Sequence, residues 1–255
     1  MVCIKNRILH LLVFLSTVTL MADDDSSTAK QVSLEIYPKW YSSDNVTFQG
    51  NIGVKKLFQE RDWITSYVKP SMTYALSHHM AMHGGLGFYY TNNKTVNNVE
   101  ELRPFLGLSH FTNFTDKWAI SSYFRSEERY FYTVGSDSRS QTTRLRLRFR
   151  NSYKLNPLNV PHTWHKVTFD LEGFRSFNRA ATVTPAYDYE TRVTLGAEHS
   201  LSKEKKVRFE LAWKYKTQAT EISDASVNTI FFKIQFFPSW GNRLRNRLRD
   251  RDIDE

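Results

Sequence analysis

The chain has 255 residues, with 35 Lys and Arg against 26 Asp and Glu, a net charge of +9 and a 15% share of aromatic side chains. Its length suits one large all-β domain or two average ones, and since no Gly-, Pro- or Ser-rich linker divides it, we read one domain. A single cysteine, Cys3, excludes a disulfide-dense scaffold, and a mean hydropathy of -0.51 beside so many aromatics fits a barrel with an aromatic exterior and a polar interior.

At the amino terminus Lys5 and Arg7 precede the apolar run 8–20, and Asp23, Asp24 and Asp25 follow it. This is the layout of a secretory signal peptide over 1–22, with cleavage expected after Ala22 and a short polar segment over 23–31. A retained anchor is the alternative, but about thirteen apolar residues are too few to cross a bilayer as a helix. Loss of the leader removes Cys3, Lys5 and Arg7, leaving 33 basic against 26 acidic residues and no thiol. An exported domain without disulfides must close by backbone pairing and packing, as a barrel does. No other apolar run approaches roughly twenty residues, so a mature chain placed in a membrane must be there as a barrel.

From 32 to 237 polar and apolar residues alternate in eleven segments: 32–42, 46–58, 63–77, 80–91, 101–112, 118–133, 142–155, 166–178, 189–201, 205–218 and 226–237. Most are longer than a soluble strand of about five or six residues, and they reach the nine to eleven or so that cross a bilayer at a barrel tilt. In the segment 142–155, Arg144, Arg146, Arg148 and Arg150 alternate with Leu145, Leu147 and Phe149. A helix would scatter these side chains around its axis, whereas a strand puts the arginines on one face. In 205–218, Val207, Phe209, Leu211, Trp213 and Tyr215 alternate in the same way with Arg208, Glu210, Ala212, Lys214 and Lys216.

A soluble sandwich could show the same alternation. The connections favour a membrane barrel, because short ones (77–79, 112–117, 202–205) interleave with longer ones (92–99, 134–141, 178–188, 218–225), 155–164 being the exception. Bacterial single-chain barrels have an even number of strands. Eleven segments therefore imply either ten strands, with 32–42 outside the membrane, or twelve, with one missed between 40 and 65. The expected fold is an all-β, antiparallel up-and-down transmembrane barrel of ten or twelve strands over 32–237, followed by a basic tail over 238–255 that carries Arg243, Arg245, Arg247, Arg249 and Arg251. Gly84, Gly85 and Gly173 interrupt the alternation and are expected at bulges or points of close backbone approach.

The stretches ELRPFLGLSHF, RSEERYF with its Arg125, Glu127 and Arg129, RLRLRFRNSYKL, TFDLEGFRSFN and YETRVTLGAEHSL resemble the DUF2490 family of outer-membrane β-barrels, over roughly 63–237. The resemblance implies a bacterial outer-membrane location and brings no activity. The chain departs from the family in its basic tail, since such barrels commonly end on an aromatic residue, and in its first strand, which is hard to align. Outer-membrane lipid, lipopolysaccharide and the barrel-assembly machinery are the partners this location entails.

In such a barrel the charged faces line the lumen, because an arginine facing lipid at the midplane would cost about 2–4 kcal/mol. The expected lumen residues are Glu101, Arg103, Arg125, Glu127, Arg129, Arg144, Arg146, Arg148, Arg150, Asp170, Glu172, Glu190, Arg192, Arg208, Glu210, Lys214 and Lys216. Arginines left unpaired in an open lumen would make a weakly anion-selective channel for small solutes. Arginines paired with carboxylates on neighbouring strands would instead make a closed structural barrel. A third reading, a lipid-modifying enzyme, needs a nucleophile, base and orienting group together. Its only pieces are Ser77, His78, His79 and His83, or Glu198, His199 and Ser200, and adjacent strand residues point to opposite faces. His162 and His165 read as turn residues, and neither a metal nor a cofactor is expected. The tail could contact anionic headgroups; nucleic acid does not fit an exported barrel.

Overall fold

The computed structural model describes residues 28–58, 63–94, 96–156, 160–177, 189–202, 205–219 and 224–241. The expected signal peptide, the 178–188 connection and the tail arginines lie outside them. The described residues form twelve strands: β1 (Thr28–Ile36), β2 (Lys39–Tyr41), β3 (Val46–Phe58), β4 (Trp63–Ala75), β5 (Met80–Asn93), β6 (Val99–Asn113), β7 (Trp118–Thr133), β8 (Arg139–Lys154), β9 (Thr163–Phe177), β10 (Tyr189–Ser202), β11 (Lys205–Ala219) and β12 (Asp224–Gly241). Strand structure thus begins before residue 32 and runs past residue 237.

From β3 to β12 each strand pairs antiparallel with the next. β1 closes the barrel, antiparallel to β3 and parallel to β12. Pro38 lacks a backbone N–H and interrupts this strand, but β2 resumes pairing with both neighbours, and Ser239↔Lys39 keeps the register set by Thr28↔Asn228. Hydrogen bonds from the Tyr37 N–H to the Phe236 carbonyl (2.8 Å) and from the Gly50 N–H to the Pro38 carbonyl (3.0 Å) bridge the break.

The barrel therefore has eleven strands, with β2 as a short extra strand in the position of β1, and not ten or twelve. All eleven alternating segments are real, and the requirement for an even number was the misleading premise. Consecutive strands reverse direction, so with an odd number the first and last run the same way and must close in parallel. Parallel pairing is only slightly weaker per residue. The barrel is all-β and mostly antiparallel, with this one parallel seam.

Closure also sets a stagger. Pairs followed from Glu35 through Gly53, Tyr67, Tyr89, Glu101 and Phe131 arrive at Ser140 on β8. The opposite route, through Gln235, Arg208, Glu198 and Lys166, arrives at Lys154, fourteen residues further along. An even stagger is required, since an odd one would join an inward side chain to an outward one at the seam. With a rise of about 3.3 Å and a strand spacing of about 4.8 Å, this stagger tilts the strands by about 40°.

The outer surface is apolar. Val32, Leu34, Ile52, Val68, Phe88, Leu106, Phe124, Leu147, Phe149, Phe169, Leu171, Leu195 and Trp213 are all exposed. Exposed aromatics stand towards both ends: Trp40, Tyr74, Trp118, Tyr153 and Trp164 at the end carrying the β2–β3, β4–β5 and β6–β7 connections, and Phe58, Tyr90, Tyr132, Tyr189 and Tyr215 at the other. We call these the turn end and the loop end. Gly85 is a point of close approach, where a Cβ would meet the Pro70 carbonyl oxygen and the Phe105 ring at 2.6 Å. No bulge occurs there or at Gly173; register shifts instead lie between Glu198 and His199 and between Ser200 and Ser202.

Candidate functional site

Alternation turns every second residue of each strand into the barrel. All seventeen expected lumen residues lie on this inner face, most of them buried. β8 supplies the arginine ladder, and carboxylates on both neighbouring strands receive it. Arg144 donates to Glu127 of β7 at 2.7 Å, Arg146 to Glu172 of β9 at 2.5 Å, and Arg150 reaches both oxygens of Asp170 at 2.7 and 2.5 Å. A bidentate guanidinium–carboxylate pair of this kind is strong and directional.

Arg125 and Arg146 are cross-strand partners of like charge, an unfavourable juxtaposition by itself. It is tolerated because Arg125 pairs with Glu127 and Arg146 with Glu172. Both guanidiniums also lie against the Tyr123 ring, at 5.9 and 5.7 Å.

The interior differs along its length. Towards the turn end Glu198, fully buried, gathers Lys206 (3.0 Å), Lys166 (3.4 Å) and Arg208. In the middle third each strand position contributes a residue no more than 7% exposed: Ser33, Asn51, Lys69, His83, Phe105, Arg125, Arg148, Glu172, Thr194, Glu210 and Gln235. Towards the loop end the side chains of Arg129, Arg192 and Lys216 keep 21%, 22% and 26% exposure. There Glu101 binds Arg103 (2.6 Å) and Arg129 (2.7 Å), and Glu190 binds Arg192 (2.6 Å) and Lys216 (3.7 Å).

Several interior groups were missed from sequence. Glu35 accepts from Tyr67 (2.5 Å), Tyr37 (2.7 Å), Gln235 (2.8 Å) and Ser33 (3.1 Å), tying β1 to β12 across the seam and to β4 beyond β3. Its alternation with Leu34 and Ile36 was a usable signal. Lys55 was harder, because Lys55 and Lys56 are adjacent and only the register tells which one points inward.

The pieces considered for catalysis are not brought together. His83 is buried between Thr73 (2.9 Å) and Ser109 (2.7 Å), while Ser77, His78 and His79 lie in the exposed β4–β5 turn. Glu198 and Ser200 point inward, whereas His199 packs outside, edge-on to Trp164 at 5.3 Å. His162 is a turn residue with a φ of 58°, but His165 belongs to β9, buried and bonded to the Asn156 carbonyl at 2.7 Å.

Fold and interior together define a closed β-barrel whose inward face is an ion-paired polar core and whose outward face is apolar. Residues 24–226 match the family model described as a protein of unknown function, DUF2490, and the chain belongs to that family. No curated protein and no solved structure matches the chain.

Proposed function

We propose that this protein is an outer-membrane β-barrel with a stoppered lumen, a structural barrel closed by its own ion pairs rather than a standing pore. The membrane placement is supported by the band of exposed apolar side chains with aromatics towards both rims, and by the signal-peptide layout of 1–22. Lipid and lipopolysaccharide would cover that band, and the barrel-assembly machinery would insert it.

The observation that carries closure is the middle third, where all eleven strand positions contribute a buried residue and the charged Arg125, Arg148, Glu172 and Glu210 are each no more than 4% exposed. A conducting path needs continuous water, and fully desolvated charged groups leave none beside them. The second reading, a weakly anion-selective channel for small solutes, is favoured by the excess of cations over carboxylates on the inner face.

Single-channel recording of refolded protein in a planar bilayer under a salt gradient tests both readings. The stoppered barrel predicts silence from protein that migrates as a folded, heat-modifiable band. Stable anion-favouring steps that weaken in Arg146→Ser and Arg148→Ser would establish the channel instead.

A further inference from the structure

The loop-end half of the interior carries seven cations, Lys55, Arg103, Arg129, Arg144, Arg192, Lys214 and Lys216, against three carboxylates, Glu101, Glu127 and Glu190. The arginines and Lys216 are joined to those carboxylates by ion pairs, and Arg192 also reaches Glu172 of the middle third at 3.1 Å. Lys55 and Lys214 make no ion pair among the described residues, although Lys214 is only 8% exposed. A buried ammonium without a counter-charge is costly, and aromatic rings offset that cost only in part.

Closure brings these two lysines together. Lys55 on β3 pairs with Ser33 of β1, and Lys214 reaches from β11 across β12 to donate to Gln31 of β1 at 2.9 Å. The Lys214 ammonium therefore meets β1 at Gln31, two residues from Ser33, the register partner of Lys55. Lys214 lies over the Phe231 ring at 4.3 Å and Arg192 over the same ring at 5.4 Å. Lys55 lies over Tyr89 at 5.6 Å, a ring it shares with Arg103 at 4.1 Å. The Arg192 Nε is buried and has no hydrogen-bond partner among the described residues.

From this geometry we infer that the loop-end half is a blind vestibule that binds a dissolved multivalent oxyanion, a phosphate or phosphate ester, between Lys55, Lys214 and Arg192. The ligand is multivalent because, even with Glu172 counted against Arg192, the cations there outnumber the carboxylates by three, and a monovalent ion would leave most of that excess uncompensated. It arrives as a solute because the three cations face the interior, away from the apolar wall. Entry is from the loop end, where Arg129, Arg192 and Lys216 keep solvent contact. The vestibule's being blind rests on the stoppered lumen proposed above.

Calorimetric titration of the refolded full chain with sodium pyrophosphate, with orthophosphate and chloride as comparison ions, tests this. Saturable binding of one pyrophosphate per chain is expected, falling about tenfold or more in Lys55→Gln and in Lys214→Gln and unchanged in Lys117→Gln, whose side chain lies in the exposed β6–β7 turn. Heat-modifiable migration establishes that each variant is folded. Absence of binding to folded wild-type protein, equal loss in Lys117→Gln, or displacement by equimolar chloride would overturn the inference. Conductance of the same preparation separates the two proposals: conducting protein that binds pyrophosphate through Lys55 and Lys214 overturns the stopper alone, and silent protein that does not bind overturns the site alone.

Discussion

The carboxylate of Glu127 on β7 lies 2.7 Å from the guanidinium of Arg144 on β8 with no solvent exposure of its own, and the same carboxylate also serves Arg125 and Arg103. One acid thus compensates three bases contributed by three adjacent strands. Glu127→Ala should therefore cost about 3–5 kcal/mol, the usual penalty for stranding buried charge. Denaturant unfolding of the refolded barrel measures it, and a loss below about 1 kcal/mol would mean that water already reaches this carboxylate.

Gly53 offers a test of the seam. A Cβ there would come within 2.5 Å of the Tyr67 hydroxyl and 3.1 Å of the Glu35 Cγ. Tyr67 is held by its hydrogen bond to Glu35, so it cannot yield without losing that bond. Gly53→Ala should destabilise the barrel by about 1–3 kcal/mol. A Cβ at Gly53 would also meet the Tyr67 Cζ at 2.6 Å, which phenylalanine keeps, but Tyr67→Phe removes the hydroxyl and the bond to Glu35 that holds the ring, so the ring can yield and Gly53→Ala should cost less in that background, as a double-mutant cycle would register.

Parallel closure makes a covalent prediction. Val32 and Phe232 are partners across the β1–β12 seam, and paired strand positions fall within disulfide reach. With Cys3 replaced by Ser, the pair Val32→Cys and Phe232→Cys should cross-link under mild oxidation in folded protein. Shifting one cysteine to Leu34 should reduce the yield sharply. Equal yields for both pairs would contradict the register.

Leu147 points outward near mid-strand on β8 and is 43% exposed, directly beside the inward Arg146 and Arg148. If lipid covers this face, Leu147→Arg should cost about 2–4 kcal/mol in vesicles. Stability of the refolded variant in lipid vesicles measures this, and an indifferent substitution would indicate that water covers the face.

Period-two alternation is dictated by covalent geometry, so the eleven segments and the composition of each face were legible in the amino-acid order. Arg144, Arg146, Arg148 and Arg150 could share only one face of a strand, and Leu147 and Phe149 only the other. The register and the closure were not legible, because pairing between segments far apart in the chain depends on the stagger of the whole barrel. That stagger selects Lys55 over Lys56 for the interior and joins the first strand to the last in parallel. It also carries Lys214 across the seam to Gln31, beside Lys55, although 159 positions separate the two lysines. Burial was decided at the same level: Glu198, adjacent in sequence to an exterior histidine, became a fully desolvated counter-ion only when three cations from neighbouring strands converged on it.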